Sequence, residues 1–124
     1  MLLDSTDFPL VRLHMASVAP EWESEFAALF ARCQRFVLLS VAAPDAQRDA
    51  SPGERKQHAL WLKRNRPALA EWCAGAVIVQ TSRSLAIASR VMAPAMAKAF
   101  GFPIRIVERE IDIDAEVEQL LDQR

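Results

Sequence analysis

The chain has 124 residues, of which 52% are hydrophobic and 25% are charged, and its net charge is −1. This length and composition predict one folded domain over residues 1–124 and exclude a disordered chain. The near-zero net charge gives no bulk attraction to nucleic acid. No apolar run approaches the ~20 residues that span a bilayer, and no signal peptide pattern begins the chain. We therefore expect a cytoplasmic protein without integral membrane association.

Charge is distributed unevenly along the sequence. Residues 48–105 carry a net charge of +7, whereas residues 1–47 and 106–124 carry −3 and −5. One interpretation is that these surfaces neutralise one another, with the acidic end lying near the basic middle. The other is that the basic middle forms a face for an anionic ligand or an acidic partner.

The first third of the chain predicts two strands, a helix and a third strand. Leu2–Ser5 fits a short edge strand, and Phe8–Met15 alternates in the manner of a second strand. Pro20 is expected to open a helix, and Arg35–Val41 reads as a buried strand because it is short and apolar. The helix carries an apolar stripe of helical period, made of Trp22, Phe26, Leu29, Phe30 and Cys33.

A second helix is predicted from the sequence Ser51-Pro52-Gly53-Glu54 onward. This is a capping box, in which the serine and glutamate side chains satisfy free backbone N–H groups, with proline at the first helical position. Pro67 predicts a kink or a break near Asn65 and Arg66. The inward stripe is expected to consist of Ala59, Leu62, Arg66, Leu69 and Cys73.

The remaining sequence continues the alternation of strands and helices. Strands are predicted over Ala74–Gln80 and Pro103–Val107, with a helix over Leu85–Phe100 between them, ended by Gly101. An acidic helix starting at Asp112 or Asp114 ends the chain. Strands that alternate with helices indicate crossover units. We therefore predict a single α/β domain with a mixed or mostly parallel sheet of four to five strands and about four helices.

The helix over Leu85–Phe100 is apolar on almost every side, which is unusual for a helix of a small domain. The helical period allows one set of side chains to face the sheet: Leu85, Ala88, Met92, Met96 and Ala99. A second set is then expected on the outside as an interaction surface: Ile87, Arg90, Val91, Ala95 and Lys98. The alternative is that a few scattered apolar side chains are simply exposed, which is common.

The sequence contains few side chains in patterns typical of catalytic sites. The two histidines, His14 and His58, belong to no recognisable nucleophile signature, and the three glycines do not cluster into a phosphate-binding loop. Cys33 and Cys73 are expected to be reduced thiols in the core. We therefore expect no enzyme activity, no metal site and no cofactor.

A weaker ligand or anion site is predicted in the segment that follows the third long strand. Thr81, Ser82, Arg83 and Ser84 fall where a strand ends and a helix begins, and free N–H groups at that point favour a negative group. The alternative is that the serines only cap the helix.

The order of these elements resembles the STAS-like fold, and in particular the anti-sigma-factor-antagonist-like bacterial proteins, which are related in shape to CRAL-TRIO lipid-binding domains. The resemblance covers nearly the whole chain. Regulatory members carry an Asp-Ser-Ser-Gly-type phosphorylation motif, and the corresponding segment here is Asp49-Ala-Ser51-Pro-Gly-Glu54. The resemblance implies a phosphorylation site at Ser51, although the residues around this serine differ from that motif.

Taken together, these patterns predict a non-catalytic regulatory or protein-interaction module. It would act through the apolar helix 85–100 and the loop edge near Ser51 and Arg83, with a protein partner or by self-association as a possible homodimer. A first alternative is a carrier or sensor of a small apolar or lipid-like ligand, as the shape of the related domains suggests. A second alternative is a small enzyme of unknown class.

Overall fold

A computed structural model of the protein describes residues 2–14, 22–41 and 52–122. The predicted start of the first helix at Pro20, the loop before the second helix and Ser51 lie outside these residues. Within them, strands and helices alternate as the sequence predicts. The elements are β1 (Leu2–Asp4), β2 (Leu10–His14), α1 (Trp22–Ala31), β3 (Phe36–Val41), α2 (Pro52–Trp72), β4 (Cys73–Val79), α3 (Arg83–Phe100), β5 (Ile104–Val107), a 3-10 helix (Glu110–Asp112) and α4 (Ile113–Asp122).

The five strands form one sheet in which spatial order follows chain order, from β1 to β5. β1 pairs antiparallel with β2, and every later pair is parallel. In the register, Val11 lies beside Leu38, which lies beside Ala76, which lies beside Ile104. The predicted mixed, mostly parallel α/β fold is confirmed, and the predicted first strand lies at an edge of the sheet.

One face of the sheet is covered by α1 and α2 through an aromatic cluster. Strand residues such as Val11 and Leu38 belong to the same cluster on the sheet side. Trp61 of α2 is buried at its centre, with its ring centroid 4.5 Å from that of Phe26 and 5.1 Å from that of Trp22. Large aromatic side chains bury much apolar area each, so this cluster provides a large part of the core.

The opposite face of the sheet is covered by α4. Leu120 is fully buried and packs with Val37, Val77 and Val79 of the central strands. Gly75 makes this close approach possible, because a Cβ atom there would lie 2.8 Å from a methyl carbon of Leu120 and 2.9 Å from the carbonyl oxygen of Pro103. Alternate strand residues thus serve two different cores, which explains why these strands are apolar on both faces.

The second helix differs from the prediction in two respects. It begins at Pro52 as expected and runs through Pro67 to Trp72, so the predicted break is absent, whereas a kink near Asn65 and Arg66 stays a prediction. Pro67 and Lys63 are both exposed, so the carbonyl that loses its helical partner can be solvated. The inward face is also rotated from the predicted one, because Ala59 and Arg66 are exposed. Among the described residues of α2, the buried or half-buried ones are His58, Trp61, Leu62, Asn65, Ala68, Leu69 and Trp72.

The two cysteines differ in their surroundings. Cys73 is buried, as predicted, although it is the first residue of β4 and not part of the helix. The prediction of a core position for Cys33 is wrong, because α1 ends at Ala31 and Cys33 follows in a left-handed conformation with φ 52° and an exposed side chain. Helical periodicity therefore stops two residues before Cys33.

We expect the two thiols to react at very different rates. Burial raises the pKa of Cys73 from 9.0 to about 12, so its thiol stays protonated and shielded in the folded state. At about pH 8, mass spectrometry after treatment with N-ethylmaleimide should show one label on the folded protein, at Cys33, and two labels in urea. Rapid double labelling of the folded protein would contradict the burial of Cys73.

The raised pKa of Cys73 also makes stability depend on pH. The thiol of the unfolded chain ionises at a lower pH than the thiol of the folded protein. The stabilisation that the protonated Cys73 gives to the folded state is therefore complete below about pH 9 and is lost as the pH rises toward about 12.

Candidate interaction surface

The third helix packs on the sheet through its smallest side chains. Ala86 and Ala93 are buried, and α3 lies against β5 and beside α2. At its C-terminal end, Phe100 stacks on Phe102, with the ring centroids 5.9 Å apart. Gly101 ends the helix as predicted, in a left-handed conformation with φ 89°, and its N–H donates to the carbonyl of Ala97. Met96 and Phe100 are half-buried, and the other large apolar side chains of α3 lie on its outer side.

We call the outer side of this helix the α3 surface. Its large apolar side chains are widely exposed: 77% for Val91, 60% for Met92, 53% for Ile87 and 47% for Leu85. Ala88 and Ala95 are exposed between them. An amphipathic helix normally buries its large apolar residues, so the arrangement of α3 is the reverse of the usual one. Contiguous exposed apolar residues of this kind mark interaction sites.

The charges of α3 have a single sign. Arg83, Arg90 and Lys98 are all exposed, and the helix contains no acidic residue. Arg90 is turned toward β5, where it lies 3.7 Å from Glu108 and donates to the carbonyl of Ile106. Within the described residues, neither Arg83 nor Lys98 forms an ion pair. The α3 surface is therefore apolar, with a positive border formed by Arg83 and Lys98 at its two ends.

The predicted interaction residues are found on the outside of the helix, but the predicted inner set is wrong. The five side chains named for the surface are exposed: Ile87, Arg90, Val91, Ala95 and Lys98. Leu85, Ala88, Met92 and Ala99 were expected to face the sheet, and all four are exposed as well, while Met96 is half-buried. The helix is rotated so that alanines meet β5, which widens the apolar surface beyond the predicted residues.

The predicted anion-site residues lie together at the carboxyl end of β4. Thr81, Arg83 and Ser84 are exposed, and Ser82 occupies the N-cap position of α3. Its hydroxyl lies 3.3 Å from the hydroxyl of Ser84 and makes no capping hydrogen bond, whereas its N–H donates to the side chain of Gln80. The predicted serine cap is therefore not formed by Ser82.

Side chains that could support catalysis are dispersed in the described parts of the chain. His58 packs edge-on against Trp22, with the ring centroids 4.9 Å apart, as part of the aromatic cluster. His14 ends β2. No group of three or more potential metal ligands occurs among the described residues, and the structure does not describe Ser51.

Sequence reasoning did not find two clefts at the free edge of β5, of about 380 and 440 Å³. Charged side chains line them, including Arg90, Glu108 and Glu116. Arg105 lies 3.9 Å from Glu116, and Arg90 lies 3.7 Å from Glu108. The acidic end of the chain thus lies beside part of the basic middle, as one interpretation of the charge pattern holds. Only the strand order, which places β5 at an edge, could have indicated these clefts.

No helix in the described ranges is both long enough and apolar enough to cross a bilayer.

Comparison with known proteins gives no relative from which a role could be transferred. No family model matches the chain, and neither the curated proteins nor the solved structures include a significant match.

Proposed function

We propose that this protein is a non-catalytic regulatory or protein-interaction module that binds a protein partner through the α3 surface. The observation that carries this proposal is the reversed arrangement of α3, with alanines inward and Leu85, Ile87, Val91 and Met92 outward. Burying a large apolar side chain contributes about 1.5–3 kcal/mol. These side chains stay exposed in the folded chain, so a partner that buries them would add this free energy to its binding.

The loop edge at the start of α3 extends the same surface. Arg83 is exposed at the first position of the helix, and Thr81 and Ser84 are exposed beside it. These side chains add a positive, hydrogen-bonding end to the apolar stripe. The resemblance to STAS-like regulatory modules is compatible with a role in binding, and phosphorylation of Ser51 remains a prediction from that resemblance.

The lipid-carrier alternative would need an apolar cavity of sufficient size. The two clefts beside β5 are lined by several charged side chains, including Arg90, Arg105, Glu108 and Glu116. The smaller cleft does not favour an apolar ligand. The larger one is also lined by Ala93, Pro94, Ala97 and Ile104, but Arg90, Arg105 and Glu116 put charge beside these residues. The binding of a protein partner is therefore the better-supported function.

The test replaces Val91 by aspartate and measures capture of binding partners from an extract of the source cells. Val91 is 77% exposed, so Val91→Asp should leave folding intact, with a stability change within about 0.5 kcal/mol. We expect the partner captured by the wild type to be reduced at least about tenfold, which corresponds to a loss of about 1.4 kcal/mol of binding free energy.

A matched control is Ile111→Asp, since Ile111 is 79% exposed and lies in the 3-10 helix, outside α3. It introduces the same charge at an equally exposed apolar residue and should leave capture unchanged. Undiminished capture by folded Val91→Asp, or equal losses in both variants, would contradict binding through α3. Circular dichroism of each variant establishes that it is folded.

A further inference from the structure

We infer that the segment bound by the α3 surface is an acidic amphipathic helix, which packs lengthwise along α3. This inference rests on the proposed function and adds the chemistry of the partner. It depends on three features of α3: the spacing of its outermost residues, the sizes of their side chains, and the sign of the surrounding charges.

The outermost residues of α3 follow the spacing of a helix–helix seam. Ser84, Ala88, Val91, Ala95 and Lys98 are all exposed and are separated by 4, 3, 4 and 3 positions. This is the a/d spacing by which two helices interlock along their length. With a rise of 1.5 Å per residue, the seam is about 21 Å long, which matches a partner helix of about four turns.

The side chains along the seam fit a helix better than a flat surface. Ala88 and Ala95 are small and permit close approach of another helix, while Val91 projects between them. Leu85 and Met92 border the seam on one side and Ile87 borders it on the other, and all three are about half exposed or more. These larger residues can contact both sides of an inserted apolar stripe.

The charges select an acidic partner over a second copy of this chain. Arg83 precedes the seam and Lys98 ends it, whereas Arg90 lies beside β5 and is paired with Glu108. The helix α3 has no acidic residue that could pair with these cations in a second copy. Two α3 helices packed together would bring like charges near one another, which disfavours the pairing. Glutamate or aspartate flanking the apolar stripe of a partner helix would instead meet the positive border.

The same surface lacks a usual feature of membrane-binding helices. Amphipathic helices that lie in a membrane interface commonly insert Trp, Phe or Leu among their apolar residues, and α3 exposes only Leu85 of these three types. The outward residues of α3 include no aromatic side chain, and Trp22 and Trp61 are buried beneath α1 and α2. The observations therefore favour a protein helix over an anionic membrane.

The first experiment uses two synthetic peptides of about three heptads, with leucine and isoleucine at the seam positions. One has glutamate at the flanking positions and the matched peptide has lysine there. Fluorescence anisotropy should show at least about tenfold tighter binding of the acidic peptide. This binding should be lost in Val91→Asp and weakened when NaCl is raised from about 0.05 to 0.5 M, because salt screens exposed charges.

The second experiment uses the natural partner captured by the wild type. The double variant Arg83→Glu with Lys98→Glu should lose that partner at least about tenfold, and Arg83→Gln with Lys98→Gln should lose less. Equal affinity for the two peptides, or undiminished capture by the charge-reversed variant, overturns the acidic helix. If Val91→Asp still abolishes capture in that case, the proposed function stands and only the partner chemistry is wrong.

Two further outcomes also overturn the inference. A dimer in light scattering that Val91→Asp converts to a monomer would assign the α3 surface to a second copy of the chain. Binding to vesicles of phosphatidylserine and phosphatidylcholine that is lost in Val91→Asp, without binding of the acidic peptide, would assign it to a membrane.

Discussion

Replacing Trp61 by alanine should lower the free energy of unfolding by about 3–5 kcal/mol, as expected for removal of a buried aromatic side chain. Trp61 is 6% exposed and contacts the rings of Trp22, Phe26 and Phe30. The alanine variant would leave a cavity between α1, α2 and the sheet. A small domain has only about 5–15 kcal/mol of stability, so this variant should unfold at a much lower urea concentration.

Trp72→Ala is the matched control for this variant, because Trp72 ends the same helix and is only half-buried against the same cluster. Its loss should be smaller, since its side chain is already partly solvated. Equal urea midpoints for the wild type and Trp61→Ala would show that the aromatic cluster does not hold α2 to the sheet.

Gly75→Ala should destabilise the protein by about 1–3 kcal/mol, the range expected when a close-packed core receives extra volume. The added methyl group would lie 2.9 Å from the carbonyl oxygen of Pro103 and 2.8 Å from a methyl carbon of Leu120. The side chain of Leu120 can adjust, but the backbone oxygen belongs to the β4–β5 region of the sheet and cannot move alone. Urea unfolding followed by tryptophan fluorescence would measure the loss.

Gly101→Ala provides the comparison for this second prediction. Gly101 has φ 89°, which disfavours alanine by about 1–2 kcal/mol, but the nearest atom to its added Cβ is a side-chain carbon of Arg66 at 3.4 Å. The cost at Gly101 is therefore conformational, whereas Gly75→Ala adds a steric clash with a backbone oxygen. A wild-type urea midpoint for Gly75→Ala would contradict the close packing of α4 on β4.

The sequence predicted the strands well because the central ones are short apolar runs between helical segments, but the order of the strands within the sheet did not follow from it. Leu38 and Leu39 of β3 belong to different cores on opposite faces of the sheet, and only a strand buried on both faces produces such a run. The antiparallel pairing of β1 with β2 did not follow from periodicity, because a three-residue strand has too few side chains to define a face.

The rotation of the helices was harder to predict. In α3, alanine occurs on every side, so side-chain size does not reveal that Ala86 and Ala93 are the buried positions. Packing against β5 decides this, and the decision depends on contacts distant in sequence. In α2, the long aliphatic part of Arg66 fits the helical period, but its guanidinium reaches the carbonyl groups of Lys98 and Ala99 at the end of α3. Arg66 therefore joins two helices and does not enter the core.

The consecutive order of the strands has a consequence for the synthesis of this protein. Each new strand leaving the ribosome can join the edge made by the strand before it, with no earlier strand having to be displaced. The opposite face of the sheet, however, waits for residues 113–122, which bring Leu120 against Val77 and Val79. A growing chain would therefore expose the apolar face of a nearly complete sheet until residues 113–122 are translated.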